Sequence, residues 1–479
     1  MGPVVAIVLA AGAGRRFGGG KLVASLDGRP ILQHVLDALA EAGIPDPVVV
    51  VGSDATLVEA IDWRAATVTR NPDPARGLAS SLQVGWAAAM TVEPRPAAAI
   101  VVLGDQPLLD PAVIRALAAA PADATRPILV ARHGDGVPNP VRLEPEADAL
   151  VAQAAGDRGL GPVLEAHPDL VRFLDVGGTN PDIDRPADLV ALLEARWADR
   201  VRANGEQVER FREAPDGNDF YASVSRTFIA DPARDDDSVL DALIGLARPD
   251  EVWLDIGAGA GRYALPLARR VRNVVALDPS ASMIDALRAA IAEHHLGNIR
   301  VLAGRWPPDD TLRSDLGPDP IADVALVAHV GYDIAAIGPF LLAMEAAARR
   351  LCVAVLMDQG PASAAAAFWP PVHGEPRVPL PALPALVELL RGRGRAPTVT
   401  LVDTARRRWA SRAEVEAFVR RQTWTAPGSV KDHRMLELLD AWSVLDADGS
   451  AELLGAEPLS VGVVAWSPPS LRHQLSRPS

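Results

Sequence analysis

The chain has 479 residues, too many for one ordinary core, and 49% of them are apolar, enough to bury two cores. Its 61 acidic residues outnumber 47 basic ones, and the net charge of -14 argues against a dedicated nucleic-acid binder, which needs a basic face. The one cysteine, Cys352, excludes an internal disulfide and a Cys-based zinc site, and within LCVAVLM it reads as a buried strand thiol.

Taken in chain order, VVAIVLA, PVVVVG, ATVTRN and AAIVVLGDQP read as strands. Between them ILQHVLDALAEAG, the segment after Asp54 and LASSLQVGWAAAM carry helical spacing. Such alternation predicts right-handed βαβ units and a mostly parallel sheet. A long helix is expected from about Ala187. Residues 198–237 are charged and weakly patterned, ending in DDD, and read as a polar helix and linker with a boundary at 204–218.

After Ser238 the alternation restarts with a helix, then EVWLDIG, NVVALD, IRVLAG, ADVALVAHV and LCVAVLM as strands. Residues 361–384 are rich in proline and alanine and read as a loop or insertion. SAELLG and LSVGVVAWS read as an antiparallel terminal pair. The expectation is an α/β chain of two Rossmann-like three-layer α/β/α domains with mostly parallel sheets, at 1–200 and 238–479, joined by a charged stretch at 201–237. No Lys or Arg precedes the apolar start, and no uncharged stretch is long enough to span a bilayer. A cytoplasmic enzyme with small-molecule partners and no membrane association is expected.

The first chemical motif is LAAGAGRRFGGGK at 9–21, directly after the first strand. Its small residues let backbone N–H groups approach a triphosphate, and Arg16 and Lys21 add positive charge. It lacks the GK[ST] ending of a Walker A loop. The segment RNPDPARGLASSLQVG at 70–85 sets Gly77, Ser80 and Ser81 at a helix start after Asn71, where they can bind a base or phosphate. GDQP at 104–107 places Asp105 at the carboxyl end of a buried strand, where a divalent cation is the obvious reason to keep an acid. In NPDIDRPADL at 180–189, Asp182 is the better metal candidate, and Asp184 is assigned to helix capping.

Together LAAG, Arg16-Phe17-Gly18, Lys21, NPD…G…SSL, GDQP, GDRG (156–159) and DIDRPADL resemble the MobA-like nucleotidyltransferase family, in its molybdenum cofactor cytidylyltransferase branch. The resemblance implies Mg²⁺ and an NTP. By it Asp105 binds metal with Asp182, Lys21 contacts phosphate, and Leu9, Ala10, Ala11 and Gly12 line the nucleotide pocket. LAAG in place of the LAGG of guanylyl-transferring relatives implies CTP. Two departures are Gly20 where many relatives have proline, and VPNPVRL (137–143) where a GHPV-type sequence is common. Molybdopterin is the implied acceptor, with a sugar phosphate or another small acceptor as the alternative. A molybdoenzyme partner is not readable from the residues.

The second motif, EVWLDIGAGAGRYALPLARR at 251–270, ends a strand in Asp255 and follows it with Gly257, Gly259 and Gly261. The next strand ends in Asp278. An NAD-binding turn would read G-x-G-x-x-G, whereas this loop is D-x-G-x-G-x-G. It resembles motif I of class I S-adenosylmethionine-dependent methyltransferases. By that resemblance Asp278 binds the cofactor ribose, Asp255 and the glycines flank its methionine moiety, and Gly304, Arg305 and Trp306 lie near its adenine. His329, in AHVGYDI, is a general base or a packed histidine at a strand end, with Tyr332 and Asp333 as weaker candidates. The arginines at 391, 393, 395, 406, 407, 408 and 412 read as solvated surface charge, or else as a site for an anionic acceptor such as RNA. The leading expectation is a bifunctional transferase, and the alternative makes one domain a non-catalytic nucleotide-sensing module.

Overall fold

The computed structural model describes residues 2–54, 56–134, 138–213, 229–404, 406–456 and 458–469. Val137 of the VPNPVRL segment and residues 214–228 of the expected linker lie outside them. The chain divides into two compact units, residues 1–191 and 192–479, and the division falls inside the helix Pro186–Phe211.

In the first unit seven strands form one sheet: Val4–Ala10 (β1), Val48–Val51 (β2), Thr67–Arg70 (β3), Ala98–Leu103 (β4), Ile128–Arg132 (β5), Pro138–Leu143 (β6) and Val171–Asp175 (β7). Their order is β3-β2-β1-β4-β6-β5-β7, with only β6 antiparallel to its neighbours. Successive side chains of a strand face opposite sides. Accordingly Val5, Ile7 and Leu9 pack with Leu82 and Trp86 of the helix Leu78–Ala89 (α1), while Ala6, Val8 and Ala10 pack with Leu32, Leu36 and Leu39 on the other face. α1 lies so close that a Cβ on its Gly85 would meet Ile7 at 2.5 Å and Val50 at 2.8 Å. The chain leaves β1 toward β2 and β3 and then crosses to β4, so the strand order reverses between β1 and β4. At such switch points the carboxyl ends of the strands leave a crevice for a ligand.

The second unit repeats the plan. Val252–Ile256 (β8), Asn273–Asp278 (β9), Ile299–Ala303 (β10), Ala322–Ala328 (β11), Ala348–Met357 (β12), Thr398–Asp403 (β13) and Ser460–Trp466 (β14) take the order β10-β9-β8-β11-β12-β14-β13. Here the reversal lies between β8 and β11. Trp253, Val274, Val324 and Val353 pack in one buried cluster, and Leu254, Ala325 and Ala354 are buried as well. Cys352 is fully buried, as expected.

Three expectations are corrected. SAELLG and LSVGVVAWS do not pair with each other. Ala451–Leu453 joins Arg408–Trp409 and Ser443–Leu445 in a small separate sheet, while β14 inserts antiparallel between β12 and β13. The stretch 361–384 is partly helical, at Ser363–Phe368 and Trp369–His373, because Phe368 and Val372 have a small core of their own with Trp409 and Phe418. Most of the arginines expected as solvated charge are ion-paired: Arg393 with Glu194, Arg395 with Glu345, Arg408 with Asp446 and Arg412 with Asp440. From residue 192 the long helix belongs to the second unit, where Trp197 donates to the Ile334 carbonyl at 3.0 Å and Asn204 to that of Val378 at 2.6 Å.

Candidate active sites

The first site stands at the β1/β4 reversal. In-register pairing of Leu9 with Leu103 brings the glycine-rich loop after β1 beside the GDQP turn after β4. Gly104 donates to the Leu9 carbonyl at 3.0 Å, and a side chain there would press on Ala10 and Leu32. The loop curls around one carbonyl, that of Gly14, which accepts from the N–H groups of Phe17, Gly18 and Gly19. Gly20 has φ +64°, a left-handed value that proline cannot take. It delivers Lys21 to the floor of the site.

Lys21 Nζ lies 2.5 Å from Asp105 Oδ2 and 3.3 Å from Asp184 Oδ1. Burial opposes its charge, but the two carboxylates prevail and hold its pKa above the ordinary lysine value. Arg16, largely exposed, reaches the other oxygen of Asp184 at 3.3 Å. Asp182 faces the fully buried Gln106, whose Nε2 donates to Asp182 Oδ1 at 2.8 Å and to the Asn180 carbonyl at 3.2 Å. Asn180 donates back to Gln106 Oε1 at 3.0 Å, and Ile183 N–H donates to the Asp105 carbonyl. Gln106 thus clips the two acidic stretches together. Its motif was quoted in the sequence, but its role was not foreseen.

Asp184 is also corrected. The backbone N–H groups of Asp184 and Arg185 are capped by Asp188, at 2.9 and 2.7 Å, which frees the Asp184 carboxylate for Lys21 and Arg16. Burial, then repulsion by Asp105 and Asp184, raises the Asp182 carboxyl above its usual range. Asp105 and Asp184 therefore share the half-buried Lys21 ammonium with Asp182 in charge range of all three, an arrangement that a further cation would relieve. Among the described residues no three His, Cys, Asp or Glu side chains stand ready to hold a metal. Asp105 and Asp182 offer two carboxylates, which fits an ion that completes its shell with water and phosphate oxygens.

Asn71, Ser80 and Ser81 are buried and turned onto one another. Asn71 Nδ2 donates to the two serine oxygens at 2.9 and 3.0 Å, and Ser80 Oγ donates to the Gly77 carbonyl at 2.8 Å. Gly77, at φ +91°, allows the GDRG loop to close, since a Cβ would meet the Gly156 backbone at 2.5 Å. Between these segments lies a small cavity lined by Leu9, Leu78, Leu82, Val141, Asn139 and Arg158.

The second site stands at the β8/β11 reversal. Gly257, Gly259 and Gly261 all have positive φ. A Cβ on Gly257 would meet Val330 at 2.5 Å, and one on Gly261 would meet Leu287 at 2.6 Å. Gly257 and Ala258 donate to the Leu277 carbonyl at 2.7 and 3.0 Å. Asp278, at the end of β9, accepts from Gly259 N–H at 2.8 Å and from Ser280 N–H at 2.8 Å, so it ties loop and strand together. Gly304 donates to its carbonyl at 3.0 Å, while Arg305 is exposed. Asp255 is 2% exposed, and burial, then repulsion by Asp278, pushes its carboxyl up to about 7.

His329 follows β11 at φ +56°, and its Nε2 lies 3.4 Å from the Tyr263 hydroxyl. Burial, then the Arg262 charge, lowers its pKa to about 4. Tyr332 is buried, with its hydroxyl accepting from Met357 N–H at 2.7 Å. Asp333 is exposed. Neither Tyr263 nor Asp358, just past β12, was singled out from the sequence.

A family described as "MobA-like NTP transferase domain" matches residues 6–171, and one described as "Methyltransferase domain" matches 254–315. A protein named "Probable molybdenum cofactor guanylyltransferase" from Thermococcus kodakarensis is 31% identical over 140 residues, 29% of this chain and 64% of its own length. The 2-C-methyl-D-erythritol 4-phosphate cytidylyltransferase of Symbiobacterium thermophilum is 33% identical over 123 residues, 25% of this chain and 51% of its own. The ribosomal RNA small subunit methyltransferase A of Thermobifida fusca is 30% identical over 116 residues, 24% of this chain and 37% of its own. The chain thus spans less than two thirds of each of these relatives. No helix among the described residues is long and apolar enough to cross a membrane. The chain therefore carries, in order, a region that matches the MobA-like NTP transferase domain and a region that matches a methyltransferase domain.

Proposed function

We propose that the first domain transfers a nucleotidyl group from an NTP, CTP in preference to GTP, to a phosphorylated small acceptor such as molybdopterin. The second would transfer the methyl group of S-adenosylmethionine to a small molecule. The observation that carries the first reading is Lys21 Nζ, held between Asp105 and Asp184 at the foot of the glycine-rich loop.

In the reaction an acceptor phosphate oxygen attacks the α-phosphorus, and the bond to pyrophosphate breaks as the new P–O bond forms. Such a transfer depends on positioning and on neutralising charge. Lys21 and Arg16 would balance the departing pyrophosphate, and the loop amides not spent on the Gly14 carbonyl would cradle the triphosphate. Asp105 and Asp182 would hold Mg²⁺, which supplies positive charge beside the reacting phosphate. Gln106 keeps both carboxylates in register. The preference for CTP rests on Ala11, which stands where guanylyl-transferring relatives have glycine and whose methyl would narrow the base site.

In the second domain the Asp278 carboxylate, fixed by Gly259 and Ser280, would accept from ribose hydroxyls. The cofactor is a cation at its sulfonium, and Asp255 beside the glycine loop is the buried acid that would balance it.

The test is a screen of the four NTPs for pyrophosphate release, with and without molybdopterin and with a sugar phosphate as the other acceptor. Release from CTP that requires molybdopterin supports the proposal. Release only with the sugar phosphate refutes molybdopterin as the acceptor, and tighter binding of GTP than CTP refutes the base preference.

A further inference from the structure

Two of the 47 basic residues are lysines, Lys21 and Lys431, and every other one is arginine. The lysine of the first unit stands 2.5 Å from Asp105 Oδ2, on one of the two acids assigned above to a metal ion. An arginine at this place would grip the carboxylate with a rigid two-bonded fork, whereas lysine carries a point charge on four flexible carbons and can let go. The backbone under it cannot follow. Val23 N–H donates to the Gly20 carbonyl and Ala24 N–H to the Lys21 carbonyl, both at 3.2 Å, and a Cβ on Gly14 would come within 3.3 Å of Lys21 Cβ. Any movement therefore belongs to the side chain.

The acids around the ammonium lead outward. The Lys21 and Asp105 side chains are 12% and 20% exposed, Asp184 is 47% exposed, and Arg16 beyond it is 75% exposed. Nζ already lies 3.3 Å from Asp184 Oδ1, so an ammonium released from Asp105 moves toward solvent with one partner still in reach. The acids themselves are tied down, Asp182 by Gln106 and the Asp105 backbone by Ile183 N–H. The two proposed metal acids also differ in what they already hold. Asp182 accepts from a neutral amide, which a neighbouring ion tolerates, but Asp105 accepts from a full positive charge. Whichever Asp105 oxygen a divalent ion took, it would face the ammonium across a single carboxylate.

We propose that Lys21 is a displaceable counter-ion of Asp105: the ammonium and a divalent cation exclude each other there, and the triphosphate draws the ammonium away. Metal and NTP each have to move the same side chain, so the cost of moving it falls only once when they bind together. Lys21 thereby makes the two cooperative and keeps metal binding weak until nucleotide arrives. This inference rests on the nucleotidyl-transfer reading of the first domain.

The test uses the full chain and Mn²⁺ alone, with the unbound ion counted by electron paramagnetic resonance. Lys21→Gln should bind Mn²⁺ at least about tenfold more tightly than the wild type, since a unit charge beside the ion is gone. Lys21→Arg, which keeps the charge and grips harder, should bind it no more tightly than the wild type, so the series Gln, Lys, Arg separates displacement from a damaged fold. Arg16→Gln, which removes an exposed charge from Asp184 only, should change Mn²⁺ affinity less than about threefold. By reciprocity, the factor by which Mg²⁺ tightens CTP in calorimetry should be smaller in Lys21→Gln than in the wild type. Lysine labelled with ¹³C gives two sets of side-chain signals, and the Lys21 set, identified by its loss in Lys21→Gln, should move when Mg²⁺ and CTP are added together. Equal Mn²⁺ affinity in Lys21→Gln and the wild type, tighter Mn²⁺ in Lys21→Arg, an Arg16→Gln gain as large as that of Lys21→Gln, or an unchanged coupling factor overturns the proposal. Failure of the wild-type chain to bind any of the four NTPs with Mg²⁺ refutes the nucleotidyl-transfer reading instead, and the Mn²⁺ series still decides the role of Lys21.

Discussion

Asp255→Asn should stabilise the second domain at alkaline pH while damaging its ligand site. The carboxyl is 2% exposed and raised from 3.8 to about 7 by burial, then by Asp278. At about 1.4 kcal/mol per pH unit, ionising it in the folded state costs about 4 kcal/mol relative to the unfolded chain. The sign follows from which state holds the proton. Below about pH 4 both states are protonated and the cost is absent. It grows as pH rises toward 7 and is complete above that. The neutral amide escapes the charge penalty but keeps roughly 1 kcal/mol of polar burial, so a net gain of about 3 kcal/mol is expected at pH 8. At pH 5 most of that gain disappears. His329, lowered to about 4, pulls the wild-type profile the opposite way over the same range, but it is common to both proteins and cancels in the comparison. Denaturant unfolding followed by tryptophan fluorescence suits the assay, since only Trp63 and Trp86 of the ten tryptophans lie within residues 1–191. Equal stability of variant and wild type at pH 8, or a gain of the same size at pH 5, would refute the reasoning. An acid kept at this cost fits the proposed binding of a cationic cofactor, which would return it to its charged form.

Asp105→Asn should abolish nucleotidyl transfer and leave the melting temperature nearly unchanged, because Lys21 keeps Asp184; near-normal pyrophosphate release would end the assignment. Gly257→Ala should cost about 1–3 kcal/mol, since its methyl would overlap Val330 at a positive φ; an unchanged unfolding midpoint would show that the loop can relax. Asp278→Ala should weaken S-adenosylmethionine at least about tenfold in calorimetry, with NTP affinity untouched; a parallel loss of NTP binding would mean that the two sites are coupled.

Much of the architecture could be read directly from the residues. Val- and Ile-rich runs ending in Gly or Asp mark β1, β4, β8 and β9, and local pattern is enough to find them. The edges were harder. β14 is apolar enough to be recognised as a strand, but its place between β12 and β13 is set by pairing across the whole domain. At the first site Asp105 and Lys21 were visible because a buried strand end and a glycine-rich loop each announce a ligand. Asp184 was misassigned because Asp184 and Asp188, four residues apart, offer the same cap, and only the folded chain shows which of them takes it. Arg393 and Arg395 looked like surface charge because their partners Glu194 and Glu345 lie 199 and 50 residues away. Charge is local in sequence, whereas its neutralisation is not.

The contact between Lys21 and Asp184 spans 163 residues. Asp105 and Gln106 arrive about halfway through that span, whereas Asp182, Asp184 and the capping Asp188 arrive at or just past its end. A chain emerging from the ribosome therefore exposes its glycine-rich loop long before the acids that balance it. The entropic cost of closing so long a loop grows only slowly with length, so the folded site suffers little. The order of synthesis matters more: until residue 188 is free, Lys21 can meet Asp105 but not Asp184. Nucleotide added to stalled nascent chains should then be protected only once that acidic segment has cleared the exit.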